Sequence, residues 1–177
     1  TILSREIGWF YRAGKEFNFD IKVFYDTLDN TIDGLFGLDG FDPRNANSYT
    51  SKGLDLQFDY QFSGDSRLWF TYSYLDLEVE TGRSLRHQAP KQTLALMYQH
   101  DLTDQLQVST AYYLQDMENR SDFKRWDARI SHSFPIDNKE LSLSLVLQHN
   151  INDRSYFDSS TIWDSKTIAF IKASLQF

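Results

Sequence analysis

The chain has no cysteine. A disulfide framework, a thiolate metal site and a cysteine nucleophile are therefore excluded. Basic residues are in the minority: 18 Lys and Arg stand against 25 Asp and Glu, a formal net charge of −7 over 177 residues. A nucleic-acid partner, which selects a clustered basic face, does not fit that balance. No run of about 18 apolar residues occurs, so no helix could cross a membrane. No basic-then-apolar leader opens the chain. Proline and glycine are scarce, at 3 and 8. Pro43, Pro90 and Pro135 are expected between periodic segments, where a missing N–H removes no ladder bond. What is abundant is aromatic: 14 Phe, 10 Tyr and 4 Trp within a hydrophobic share of 41%, too much for a disordered chain. The mean hydropathy is low at −0.51. That does not exclude a membrane β-barrel, which crosses with alternating residues instead of apolar runs.

Alternation with period two runs through nearly the whole sequence. From Gly53 to Phe62, Leu54, Leu56, Phe58, Tyr60 and Phe62 share one face, and Gly53, Asp55, Gln57, Asp59 and Gln61 the other. The same split recurs at Phe19–Tyr25, Leu68–Tyr74, Leu94–Tyr98, Leu106–Leu114, Trp126–Phe134, Leu141–Leu147 and Ala169–Phe177, with a weaker first case at Ile7, Trp9 and Tyr11. Nine strands are expected. The joins between them alternate in length. Residues 13–15, 63–65, 102–104 and 135–139 make short turns, whereas 31–46, 81–90, 118–124 and 152–165 make long loops. Short turns at one end and long loops at the other are the mark of an outer-membrane barrel, not of a Greek-key sandwich. The strands reach about 9–11 residues, enough to cross a bilayer when tilted. The expected fold class is all-β: an antiparallel transmembrane β-barrel. Because nine is odd and such barrels close on even numbers, the nine strands are expected to belong to a larger barrel.

Several segments carry a resemblance. Arg5-Glu6-Ile7-Gly8-Trp9, Phe24-Tyr25-Asp26 followed by Asn30-Thr31-Ile32, and the run Asn47 to Leu56 come first in chain order. Ala89-Pro90-Lys91-Gln92-Thr93-Leu94, the run Asn150 to Tyr156 and a terminal Phe177 follow. Together these resemble the C-terminal barrel portion of a TonB-dependent outer-membrane receptor. Asp55 replaces the Glu, and Gln92 the His, of that family's patterns. The resemblance implies a barrel of about 22 strands around a plug, with residues 1–177 as its C-terminal part and the plug and signal peptide lying elsewhere. It also implies uptake of a scarce, bulky nutrient, of the siderophore-chelate or cobalamin type, across the bacterial outer membrane. The implied partners are outer-membrane lipid and lipopolysaccharide, the remaining barrel and plug, the TonB energising complex, and the barrel-assembly machinery acting on the last strand. A passive channel, a structural barrel, or a barrel portion recognised chiefly as an assembly substrate are the competing readings.

Candidate residues follow from these faces. Asp55, Asp59, Arg125, Asp127, Arg129 and Lys172 are expected to face the lumen and plug, because a midplane Arg or Lys on the lipid side costs about 2–4 kcal/mol. Ile171, Ala173, Leu175 and Phe177 form the expected assembly signal. Phe36 and Phe41 in one outer loop, and Arg83 and Arg86 in another, are candidates for ligand or lipopolysaccharide contact. Asp29, Asp33, Asp39 and Asp42, interleaved with glycines, are weak calcium candidates: Gly40 stands where a closing Glu would be needed. His87, His100, His132 and His149 lack metal-ligand spacing. The turn Ser63-Gly64-Asp65-Ser66 offers a serine but no histidine nearby in sequence, so an outer-membrane hydrolase is disfavoured. Neither an enzyme nor a cofactor is expected.

Overall fold

The computed structural model describes residues 1–37, 40–81, 89–117, 122–137, 139–152 and 166–176. Its regular structure is all strand: β1 (Ile2–Ala13), β2 (Phe17–Gly37), β3 (Gly40–Ser63), β4 (Ser66–Thr81), β5 (Pro90–Asp101), β6 (Leu106–Met117), β7 (Phe123–Ile136), β8 (Lys139–Asn150) and β9 (Thr167–Gln176). These form one antiparallel sheet in the order of the chain, with each strand paired to the next. A Greek-key sandwich would show two sheets and crossed connections. Among the described residues, β1 and β9 each pair on one side only.

Register is what makes the sheet coherent. Ile21 pairs with Leu56, Leu56 with Tyr72, and Tyr72 with Leu94. Further on, Val108 pairs with Ile130, Ile130 with Leu145, and Leu145 with Ile171. Each alternating pattern therefore meets its neighbours in phase, and a one-residue slip anywhere would invert a strand. Rows of paired residues also climb relative to the strand ends. The row that starts at Ala13 and Phe17 passes Tyr98 and Ala128 and reaches Ala169. Ala13 ends β1, while Ala169 lies seven residues before the end of β9. That stagger is about one residue per strand. With a rise of ~3.3 Å and a strand spacing of ~4.8 Å it corresponds to a tilt of ~35°, the inclination a closed barrel requires.

The joins keep the asymmetry at 82–89 and 151–166, narrow it to five residues at 118–122, and revise it at one place. Residues 14–16, 64–65, 102–105 and 137–138 connect strands at one end. Gly14 and Asp137 adopt left-handed backbone, with φ of 61° and 52°, which reverses the chain within these short turns. At the opposite end, 31–46 is not a loop. β2 and β3 continue as a paired hairpin, with Asp33 opposite Arg44 and Phe36 opposite Phe41. The pairing shifts register between Leu28 and Ile32, next to Asn30 with φ of 57°. That irregularity masks the pattern without ending the ladder. Pro43 and Pro135 accordingly sit inside strands, opposite Gly34 and Glu140. Pro135 costs no ladder bond. Ser133 N–H bonds toward Gln105, so the nitrogen of Pro135 points to the same side, where β6 has not yet begun.

One glycine is required by packing. On the face opposite the apolar one, Gly53 lies across from Phe24, whose ring fills the space a side chain would take. A Cβ at Gly53 would overlap the Tyr74 carbonyl oxygen and stand 2.5 Å from the Phe24 ring. Gly53→Ala should lower stability by about 1–3 kcal/mol through overpacking, read from denaturant unfolding in lipid vesicles. Gly64→Ala, at a turn with nothing within 4 Å, should be nearly neutral. Equal effects would contradict the close approach.

Candidate functional site: a wall with two chemistries

The sheet has no interior. Of its hydrophobic side chains, only Tyr49 and Ala111 are buried among the described residues. Ile7 is 80% exposed, Ile171 76%, Trp9 59% and Leu145 52%. These share one face. An apolar surface of this extent far exceeds what a water-facing monomer tolerates. Its edges are aromatic. Near the short turns Trp9, Phe19, Phe17, Tyr60 and Phe62 form a chain of ring contacts at 4.4–6.5 Å. Toward the other end the face carries Tyr25, Tyr74, Tyr112 and Trp126, and then charged groups: Lys52 bridges Asp76 at 3.2 Å and Glu78 at 2.8 Å. From Leu54 to Phe62 the apolar stretch spans ~26 Å along the strand, or ~22 Å once tilted, close to the ~25 Å lipid-facing band of an outer-membrane barrel. Within the band Trp126 and Thr110 are satisfied locally, whereas His132 Nδ1 is buried without a hydrogen-bond partner among the described residues. Trp126 Nε1–H donates to Thr110 Oγ1 at 2.7 Å, and Thr110 donates to the Asp127 carbonyl at 3.0 Å.

The opposite face is polar and knitted across strands. Lys22 and Asp55 form an ion pair at 3.3 Å, and Ser73 donates to Asp55 at 2.6 Å. Arg67 Nε–H donates to Asp59 at 2.8 Å, with the guanidinium 4.5 Å from the Trp69 ring. Arg125 lies against Tyr113 at 4.8 Å and donates through Nη2 to Asp127 at 3.1 Å. Its Nε approaches Asp127 Oδ1 to 2.9 Å without hydrogen-bond alignment. Gln148 donates to the same carboxylate at 3.2 Å. Arg129 donates to Ser144 at 2.9 Å and to Ser131 at 3.2 Å, and Lys172 stands opposite Ser144. The six charged residues expected on one face thus do share a face. They do not gather into one centre. They form four separate groups strung across the wall.

The other candidates disperse. Ile171, Ala173 and Leu175 alternate on the apolar face of β9, in register with Leu145, Leu143 and Leu141. Phe177 lies outside the described residues, as do Arg83, Arg86, His87 and Asp39. Asp33 and Asp42 are in the paired hairpin, opposite Arg44 and Leu35, instead of lining a loop. Asp29 N–H bonds the Thr1 carbonyl at 2.8 Å. No cluster of three metal-ligating side chains occurs among the described residues.

One pair was invisible to local reading. Ser66 Oγ lies 2.8 Å from His100 Nδ1, across the β4–β5 pairing, with Tyr98 OH at 3.4 Å from the serine. Among the described residues, no carboxylate hydrogen-bonds to the His100 ring, so the grouping lacks the orienting member of a triad. It sits on the apolar face beside the short turns, where amphipathic side chains belong.

Comparison with known families places this wall. The family model described as "TonB dependent receptor-like, beta-barrel" matches residues 1–148, which take in β1 to β7 and most of β8. A comparison with curated proteins finds no match.

The two faces make a direct prediction. Leu56→Arg, on the apolar face, should reduce membrane insertion by about 2–4 kcal/mol, while Gln57→Arg, its neighbour on the polar face, should be much milder. Folding yield into lipid vesicles, scored by heat-modifiable gel mobility, separates the two. Equal damage would mean both faces are packed alike.

Proposed function

Since the chain belongs to the TonB-dependent receptor β-barrel family, we propose that it forms part of the wall of an outer-membrane transporter for a scarce, bulky nutrient. The substrate class we favour is a siderophore-type metal chelate or a cobalamin-like molecule. The observation that carries this reading is the division of one continuous sheet into an uncovered apolar face and a polar, ion-paired face. The first suits lipid and the second suits a wet, plug-filled lumen. In this reading Asp55, Asp59, Arg125, Asp127, Arg129 and Lys172 face the lumen and its plug. The long β2–β3 hairpin, with Phe36 and Phe41 at its tip, rises on the outer side. We assign this hairpin, with Arg83 and Arg86, to ligand capture and to contact with lipopolysaccharide. Energy reaches the plug from the TonB complex. The site of action is the bacterial outer membrane, and the role is transport, without chemical turnover.

The test is uptake. Cells lacking the receptor should lose high-affinity accumulation of a labelled ferric siderophore or cobalamin, and in the parent that accumulation should collapse when the proton gradient is dissipated. Uptake that persists without the gradient, together with steady ion conductance in planar bilayers, would instead mark a passive channel.

A second expectation concerns assembly. The β9 residues Ile171, Ala173 and Leu175 alternate on the apolar face, and we assign them, with Phe177, as the signal read by the assembly machinery through strand pairing. Phe177→Asp in the receptor should lower the heat-modifiable folded fraction severalfold, and Gln176→Ala should leave it near the parental level. An unchanged Phe177 variant would remove the terminal signal from the account.

A further inference from the structure

Three cations on the polar face sit beside carboxylates: Lys22 with Asp55, Arg67 with Asp59, Arg125 with Asp127. The wall of β7–β9 is built differently. Arg129 spends its Nε and one Nη on serine hydroxyls, donating to Ser144 at 3.2 and 2.9 Å and to Ser131 at 3.2 Å. Lys172 is the register partner of Ser144. Two cations therefore flank one serine, and among the described residues neither has a carboxylate within ion-pair distance. Two acids of this face, Asp127 and Asp101, are engaged elsewhere. Asp127 is held by Arg125 and Gln148. Asp101, two strands away along the Ser131 row, accepts from Gln107 at 2.8 Å.

The ground beneath these cations is built for polar contact. The Ser131 and Ser144 hydroxyls bond one another at 2.9 Å and are 5% and 3% exposed. Ser133 and Ser142 repeat the arrangement one step nearer the turn, also at 2.9 Å, with Ser174 opposite Ser142. No bulky side chain stands between Arg129 and the turn on this track. A polar cleft opens there, lined by Arg129, Ser131, Ser133, Ser142 and Gln107, and also by the carboxylates Asp101 and Asp104. Because one edge of the guanidinium is fixed by serines, its remaining N–H groups are preorganised for an acceptor. Two like charges at a wall of reduced dielectric repel, and a shared anion removes that repulsion.

We propose that Arg129 and Lys172, set on this serine track, form an oxyanion site that takes a carboxylate or phosphate group at the lumen wall of β7–β9. The proposal rests on the reading of this face as the lumen side. Two sources could supply the same chemistry: a free anionic solute in transit, or a carboxylate of the polypeptide that fills the lumen.

The test uses the intact receptor with Ser174→Cys, a position on the same track in a chain that has no cysteine of its own. Anionic, cationic and neutral methanethiosulfonate reagents are compared. For a site open to free solute, the anionic reagent should react about tenfold faster than the cationic one. Millimolar inorganic phosphate should slow it, and Arg129→Gln with Lys172→Gln should abolish the preference. For a site filled by a polypeptide carboxylate, both charged reagents should be slow in the parent and accelerate in the same variants. Lys172→Gln alone gives an intermediate shift and guards against misfolding of the double variant. A reagent preference identical in parent and variants, with phosphate without effect, overturns the oxyanion site. Failure of the neutral water-soluble reagent to react at position 174 overturns the lumen assignment itself, and the site with it.

Discussion

Hydrocarbon offers no partner to a backbone N–H or C=O, so a chain that crosses it must satisfy each of these groups within the protein. For strands this demands unbroken ladders, and the ladders bring a second constraint. Once neighbours are paired, the facing of every side chain is fixed by register. The nine strands meet both demands together. Leu56 meets Ile21 and Tyr72, while Asp55 meets Lys22 and Ser73. Apolar rows and polar rows thus run across the sheet without crossing. The lipid belt, the charge-paired inner wall and the staggered strand ends all depend on that single phase relation.

Tilt links the fold to the transport reading. A slip of about one residue per strand inclines the strands by ~35°. The inner wall then becomes a set of slanted rows instead of level rings. Along one such row Asp127 and Gln148 meet; one step nearer the short turns Arg129 stands on the wall, and one step further Ser131 and Ser144 face Lys172. Polar groups that are remote in sequence become neighbours, and those close in sequence, such as Arg125 and Asp127, reinforce one another along a single strand. The outward face gains from the same geometry: the rings of Phe17, Tyr60 and Phe62 meet edge to face in a continuous rim.

Much of this is legible in the sequence, because alternation is a local signal. Leu54 to Phe62 shows its two faces without any partner, and the turns around Gly14, Gly64 and Asp137 announce themselves by residue type. What stays hidden is non-local. The β2–β3 hairpin beyond Thr31 carries Gly34, Gly37, Gly40 and Pro43, which read as loop residues until a partner strand supplies the ladder. The Ser66–His100 contact joins residues 34 apart. The polar face gives up its charges to a reader but not their pairing. That Asp55 takes Lys22, while Arg129 takes serines, follows from register and from nothing nearer in the chain.

The central claim is that one face of this sheet meets lipid and the other water, residue by residue. Spin labels placed singly at residues 52–62 of β3, in the receptor reconstituted in lipid vesicles, test it most directly. Collision with oxygen, which concentrates in lipid, should peak at Leu54, Leu56, Phe58 and Tyr60, and collision with a water-soluble nickel chelate at Asp55, Gln57 and Asp59. The two profiles should oscillate with period two and opposite phase. Profiles that rise and fall together, or that lack the two-residue period, would contradict it.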